Sequence, residues 1–347
     1  MRLEAGDRVL VTGSSGFIGS AVTRHLVARE LEVVALVEAG VDTANLDGLP
    51  VKQVAGDVRS ATDVRAAIAG CRAVLHVAAL YRFWARDPGD FYSINVGGTR
   101  IVLAAARHEG VERMVYTSTV GTLGLEQVSG DLSADETSFP DVRHLYGSYK
   151  RSKYVAEHEV LRAAAEGLSV SLVLPTFPLG PGDRAPTPTG KLVLDFLNGR
   201  IPGYVDTVLN VVHVDDVAEG HILALEEGRS GRSYILGGEN LPLERVLGEL
   251  ATLTGLPRPK LKVPRSVSLA VACISELVEG RILRHHPSVP LEAARMSTST
   301  MSFDDTRART ELGYAPRPAV QALEASARWF VDTGVVTPRR RDKIRWS

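Results

Sequence analysis

The sequence predicts an α/β fold, a doubly wound and mostly parallel sheet with helices on both faces and a smaller C-terminal lobe interwoven with it. Three observations predict it. From residue 8 to residue 175, short and nearly continuous apolar runs alternate with segments of helical periodicity, as strands buried on both faces require. Gly13, Gly16 and Gly19 separate the first run from the first helix. After Pro175 the texture turns irregular.

The elements follow in order. RVLVT at 8–12 is a β-branched run of strand length, and SAVTRHLVAR carries Val22, Leu26 and Val27 at helical spacing. EVVALV at 32–37 and VKQVA at 51–55 read as strands, and ATDVRAAIAG as a helix stopped by Gly70. RAVLHVAAL at 72–80 is the fourth strand, and NVGGTRIVLAAARHEG a helix closed by glycine. RMVYTST at 113–119, the helix YKRSKYVAEHEVLRAAAEG and SVSLVLP at 169–175 complete the alternation.

FPLGPGDRAPTPTG is too rich in turn residues for a regular element. KLVLDFLNGR at 191–200 is a short helix, LNVVHV at 209–214 a strand, and DDVAEGHILALEEG a helix opening on an acidic cap. YILGG at 234–238 is a strand and LPLERVLGELATLTG a helix. A weakly patterned segment runs to about residue 300, before two last helices in FDDTRARTELGY and VQALEASARWFVDTG.

Composition excludes several classes. Forty basic and 41 acidic side chains leave a net charge of -1, so nothing favours nucleic acid as a partner. Cys71 and Cys273 are too isolated for a disulfide framework or a metal site, and read as two packed thiols in a reducing compartment. MRLEAGDRVLVTG has no apolar leader, and SVSLAVACISELVEG at 266–280 is too short to span a bilayer. A cytoplasmic protein with a small-molecule substrate, no metal and no membrane span is expected.

GSSGFIG at 13–19 follows a strand and opens a helix. Glycines there permit a tight turn and close approach of backbone to a ligand, and the helix amides suit a diphosphate. A tight turn without ligand is the plainer alternative. Glu38, at the end of the second strand, is positioned to accept from ribose hydroxyls and to repel a 2′-phosphate, which favours NAD. Arg59 and Lys52 keep NADP open, and Glu38 could equally be a solvated loop carboxylate. Asp57 could read an adenine amino group or cap the neighbouring helix.

Tyr149 and Lys153 stand four apart in a helical pattern, on one face. Hydride exchange at a carbinol carbon needs a partner for the oxygen proton. Tyrosine, with an ordinary pKa of about 10, is a poor base, and a neighbouring ammonium lowers that value. The lysine could also hold nicotinamide ribose hydroxyls, and TST at 117–119 offers a hydroxyl for the substrate oxygen. Alone, such a pair is as readily an exposed helical couple.

VTGSSGFIGS, GDV, HVAA, INVGGT, VYTST and YKRSK occur in the order of the extended short-chain dehydrogenase/reductase superfamily. The chain resembles its NAD-dependent epimerase/dehydratase branch over nearly its whole length. The resemblance implies a Rossmann-fold sheet and assigns roles. Thr119 matches the catalytic hydroxyl, Tyr149 the acid/base and Lys153 its activating lysine. Ala78 and Ala79 match small residues against the cofactor, Asn95 a family asparagine, and Pro175 and Thr176 the loop that closes on the nicotinamide. Ser15, Phe17, Ile18, Val58 and Thr117 complete the expected cofactor contacts, with Gly13, Gly16, Gly19, Glu38, Asp57, Tyr149 and Lys153.

Residues 1–175 are then mainly the NAD(P)-binding domain and 176–335 mainly the substrate-binding lobe. The segment 205–235 is expected to return to the first domain, and 336–347 to form a solvated basic tail. A homodimer is implied by family analogy alone.

The segment from PTPTGKLVLDF to HILALE is similar to the hopanoid-associated sugar epimerases, themselves similar to dihydroflavonol reductases, 3β-hydroxysteroid dehydrogenases and aldehyde reductases. Glu38 stands where the reductases commonly carry an arginine for NADP. Gly124 replaces an asparagine of dihydroflavonol reductases, which argues against a flavonoid-type substrate. The expected activity is NAD(P)-dependent interconversion of a carbonyl and an alcohol on a small, bulky or apolar substrate. Tyr81, Phe83 and Trp84 would line its apolar wall or pack a lobe interface, beside Thr119 and Tyr149. Phe177, Lys191, Phe196 and Tyr204 are assigned to the substrate side by analogy, while His213 and Asp215 touch substrate or organise structure. The alternative is a nucleotide-sugar 4-epimerase. A cofactor sensor without turnover is a third reading, and VGTL after Thr119 disfavours a dehydratase.

Overall fold

The computed structural model describes residues 2–125, 133–282, 285, 287, 291–298 and 300–347. Its first six strands lie within the predicted runs: β1 (Arg8–Thr12), β2 (Glu32–Val37), β3 (Lys52–Ala55), β4 (Ala73–His76), β5 (Arg113–Thr117) and β6 (Val170–Pro175). β7 (Phe177–Leu179), β8 (Gly203–Tyr204), β9 (Val208–His213), β10 (Ser233–Leu236), β11 (Glu239–Pro242) and β12 (Leu261–Lys262) follow. Seven of these form one sheet in the order β10-β6-β5-β4-β1-β2-β3, with every pairing parallel. The order reverses between β1 and β4, and ligands of doubly wound sheets bind at such a point.

The helices are α1 (Phe17–Val27), α2 (Ala61–Ile68), α3 (Gly89–Tyr92), α4 (Thr99–His108) and α5 (Ser148–Ala165), then α6 (Pro188–Leu197), α7 (Val214–Glu226) and α8 (Leu243–Thr254). α9 (Arg265–Ser275), α10 (Leu291–Thr298), α11 (Thr306–Leu312), α12 (Ala319–Asp332) and α13 (Pro338–Arg341) complete them. Strand residues alternate between two cores. Leu10, Val74, Met114 and Leu172 pack with α2, α4 and α5, while Val9, Val11, Leu75 and Val115 pack with α1, α7 and α11. The exposed edge at β10 is covered in part by Glu136, whose Oε1 accepts from the Ile235 amide at 2.8 Å.

β7, β9 and β11 form the small sheet of the C-terminal lobe. The expectation that FPLGPGDRAPTPTG holds no regular element is corrected here. β7 forms despite Pro178 because it is an edge strand of that sheet, where a missing amide donor is tolerated. The capping of α7 also differs: the His213 imidazole accepts from the Asp215 amide, and Asp215 lies in the first turn. The basic tail is docked through a few residues, while Arg339, Arg341, Lys343 and Arg345 stay exposed as expected. Val336 and Ile344 are buried. Arg340 Nε donates to the Leu197 carbonyl and the Arg345 amide to that of Thr254, at the last residues of α6 and α8, where carbonyls lack helical partners. Cys71 is buried, but Cys273 is exposed, so only one thiol is packed.

α1 and α7 are clamped by ions. His25 lies 3.3 Å from Glu219 and 3.8 Å from Asp215, and Arg29 joins Glu219 at 2.7 Å. Hydrogen bonding to Asp215, then to Glu219, raises the His25 pKa to about 9. The resulting stabilisation is full below the unfolded value near 6.5 and is lost as pH rises through about 9. Wild type should therefore melt about 2–4 °C above His25→Gln at pH 6, and the gap should close by about pH 10. Calorimetry across that range checks it, and a pH-independent gap would show that the clamp works by packing.

Candidate active site

The two strand ends at the switch point are locked by a directional hydrogen-bond chain. The Thr99 hydroxyl donates to the Asn95 carbonyl at 2.6 Å. Its proton being committed, it accepts from His76 Nε2 at 3.0 Å, which leaves Nδ1 to accept from the Thr12 hydroxyl at 2.7 Å. Thr12 in turn accepts from the Ala78 amide at 3.2 Å. Burial keeps His76 neutral, with its pKa lowered to about 3. β4 ends at His76, four residues before its predicted end, and this frees Ala78–Tyr81 to cross the mouth of the switch point.

Gly13 and Ala78 meet there. Gly13 has φ +70°, and a Cβ on it would lie 2.8 Å from the Ala78 backbone. A Cβ on Gly19 would lie 2.0 Å from the Gly13 carbonyl oxygen. The loop thus lacks side chains at Gly13 and at Gly16, where it ends and gives α1 no side-chain cap. Phe17 and Ile18 open α1 and pack on the core beneath. Ser15 and Gly182 are bridged by the Asn45 amide at 3.1 and 2.8 Å. The donor set fits a dinucleotide diphosphate. Glu38 is exposed, 3.5 Å from Arg59, which grips Asp57 through Nε and Nη2. Asp57 therefore already serves an arginine. Val58 packs against Gly98.

Tyr149 is buried at the start of α5. The Thr119 hydroxyl, which lies beside Tyr149 and lowers its pKa, accepts from the Gly121 amide at 3.1 Å. Lys153 is fully enclosed. Its Nζ donates to the Tyr116 hydroxyl and the Thr117 carbonyl, each at 2.7 Å. This corrects the expected electrostatics. Burial raises the Tyr149 pKa, and the Thr119 hydroxyl only partly opposes it, because the lysine is turned toward Tyr116. Burial likewise lowers the Lys153 pKa to about 7.

One turn on, Glu157 accepts from Ser118 at 2.5 Å and Thr122 at 3.0 Å, and burial pushes its carboxyl up. Sequence reasoning missed Tyr116 and Glu157, and it offered Ser118 only as one of the TST hydroxyls. The Tyr149, Lys153, Glu157 spacing of four and four could have revealed the last.

The other expected residues divide. Tyr81 stacks on Tyr149 at 5.0 Å between ring centres, and Phe83 meets Tyr81 at 6.2 Å. Asn95 is buried and turned inward, accepting from the Leu80 amide at 2.7 Å and donating to Ser152 at 2.9 Å. It ties the Tyr81 loop to α5. Thr117 pairs with His221 at 2.9 Å. Pro175 ends β6, and the Thr176 hydroxyl donates to the Leu236 carbonyl at 3.4 Å. Phe177 and Tyr204 are half-buried against the core, as Ala79 is beside Ala78. Phe196 is buried in that core. Lys191 forms an exposed pair with Asp195 on α6, so its solvated alternative describes it better. Among the described residues, no group of three His, Cys, Asp or Glu is arranged to hold a metal ion, and no helix is long and apolar enough to cross a membrane.

Known proteins are similar to this chain in sequence and fold. The model of the NAD dependent epimerase/dehydratase family matches residues 9–237. A Synechocystis sp. protein with the provisional name dihydroflavonol 4-reductase is 43% identical, over 95% of this chain and 96% of its own. The solved structure of gox2253 superposes with a TM-score of 0.85 at 42% identity, covering 96% of this chain and 100% of that one. The UDP-glucose 4-epimerase of Thermus thermophilus, solved with NAD, has the same fold, with a TM-score of 0.72 at 24% identity over 93% and 98% of the chains. The chain belongs to the NAD-dependent epimerase/dehydratase family and is an NAD(P)-binding oxidoreductase acting on a small organic substrate.

Proposed function

We propose that the chain interconverts a secondary alcohol and a ketone, with Tyr149 exchanging the oxygen proton. The observation that carries this reading is the buried Tyr149 beside the half-buried Thr119, one helical turn from Lys153. Gly13, Gly16, Gly19 and the first turn of α1 would hold the diphosphate, and Glu38 the adenosine ribose, which favours NAD. When bound, the nicotinamide supplies the hydride acceptor and donor. Thr119 orients the substrate oxygen. Tyr149 Oη holds the proton that enters or leaves it, and its raised pKa keeps that proton in place at neutral pH. Lys153, anchored by Tyr116, supplies positive charge from beneath. Glu157 raises the lysine's pKa and so favours its charged form. Asn95 positions the Tyr81 loop against α5.

Two net reactions can use this step. Epimerisation of a nucleotide sugar, by transient oxidation with the cofactor retained, is favoured by the description of the matched family over the net reduction that the sequence reading put first. Net reduction is supported by the name of the 43%-identical relative and by the aromatic pair Tyr81 and Phe83 at the site.

The deciding experiment measures cofactor absorbance co-purifying with the protein, then turnover of UDP-sugars and of an aldehyde and ketone panel with NADH and NADPH. Retained cofactor with sugar interconversion establishes epimerisation, and steady NADH oxidation establishes reduction. Inactivity with both panels would reject the proposal, and clearly tighter NADPH binding would reject the role of Glu38.

A further inference from the structure

Glu292, on α10, has 8% of its surface exposed, and its Oε1 has no hydrogen-bond partner. The carboxyl lies against Gly147, the residue before α5. A Cβ on Gly147 would fall 1.9 Å from Oε2 and 2.6 Å from Oε1. Gly147 also has φ +86°, so a side chain there is excluded by backbone and space together. Tyr149 is two residues further on. The Glu292 charge acts on both Tyr149 and Tyr81, whose rings are 5.0 Å apart. Three segments distant in sequence thus bring Tyr81, Tyr149 and Glu292 together.

An unsatisfied buried polar atom is destabilising, so the carboxyl is poorly explained by stability alone. Burial raises its pKa to about 8, with Lys150 pulling down and Glu276 pushing up. At neutral pH it therefore offers a donor as well as an acceptor.

We propose that Glu292 determines specificity at this site: its carboxyl hydrogen-bonds an oxygen flanking the reacting carbinol, so preferred substrates carry neighbouring oxygens, as sugars and other polyols do. The inference rests on the oxidoreductase reading centred on Tyr149. A purely structural role, as a charge near the start of α5, would give no such preference.

The test is steady-state reduction with NADH of matched ketones: cyclohexanone with 2-hydroxycyclohexanone, and 2-butanone with 3-hydroxy-2-butanone. Wild type should favour the hydroxylated member by about 10- to 100-fold in kcat/KM, mostly through KM. Glu292→Gln should keep most of that preference, and Glu292→Met should bring it within about threefold of parity. If Glu292→Met does not fold, Glu292→Ala, which also removes the carboxyl, gives the same readout. A preference that is absent, or survives loss of the carboxyl, overturns the inference while the Tyr149 reading stands. No turnover of any pair by wild type overturns the inference and leaves the Tyr149 reading to the sugar panel, and unchanged turnover in Tyr149→Phe overturns both.

Discussion

Replacing Tyr149 with phenylalanine is expected to lower turnover by about 1,000-fold while NADH binding stays within about threefold of wild type. The change deletes one oxygen and keeps the ring that stacks on Tyr81 at 5.0 Å. Packing at the start of α5 should therefore survive, and the loss should fall on proton exchange. The phenol is buried and its pKa raised, so at neutral pH it is a proton donor ready for the reductive direction. The oxidative direction demands that it give the proton up, so alcohol oxidation should rise with pH more steeply than ketone reduction. NADH fluorescence titration and stopped-flow turnover separate the two effects. Turnover within tenfold of wild type would remove Tyr149 from the chemical step, and lost NADH binding would recast it as a structural residue.

The large sheet was legible because parallel strands buried on both faces leave continuous apolar runs, such as EVVALV and SVSLVLP, that tolerate few other interpretations. β7 and β11 were not, because edge strands as short as Phe177–Leu179 can carry proline and mimic turns. At the site, the spacing of Tyr149 and Lys153 gave a shared helix face but not the lysine's direction. That direction is set by Tyr116, on β5, and no local pattern encodes it. Lys191 and Thr117 were chosen by position along a motif, yet their polar atoms serve Asp195 and His221. Glu292 was invisible for a different reason. It lies in a weakly patterned stretch 143 residues after Tyr149 (292 minus 149), and only the tertiary fold brings it to Gly147.

Alanine at Gly19 should weaken NADH binding by about 30-fold or more and lower the melting temperature by several degrees. Helix propensity alone predicts the reverse, since alanine inside a helix is favoured over glycine by about 1 kcal/mol. Sterics override it. The added Cβ would lie 2.0 Å from the Gly13 oxygen and 2.7 Å from its carbonyl carbon, so the backbone of the loop must move. Gly13 has little freedom to yield, with its α-carbon already facing the Ala78 backbone, which the Thr12–His76–Thr99 chain fixes. Any shift displaces the amides proposed to hold the diphosphate. Gly16→Ala supplies the contrast, because its Cβ would meet the same oxygen at 3.3 Å, a contact that small adjustments relieve. The expected order of NADH affinity is wild type, then Gly16→Ala, then Gly19→Ala far below. Equal affinity in the two variants would mean that the loop tolerates the displacement and that the diphosphate is held elsewhere.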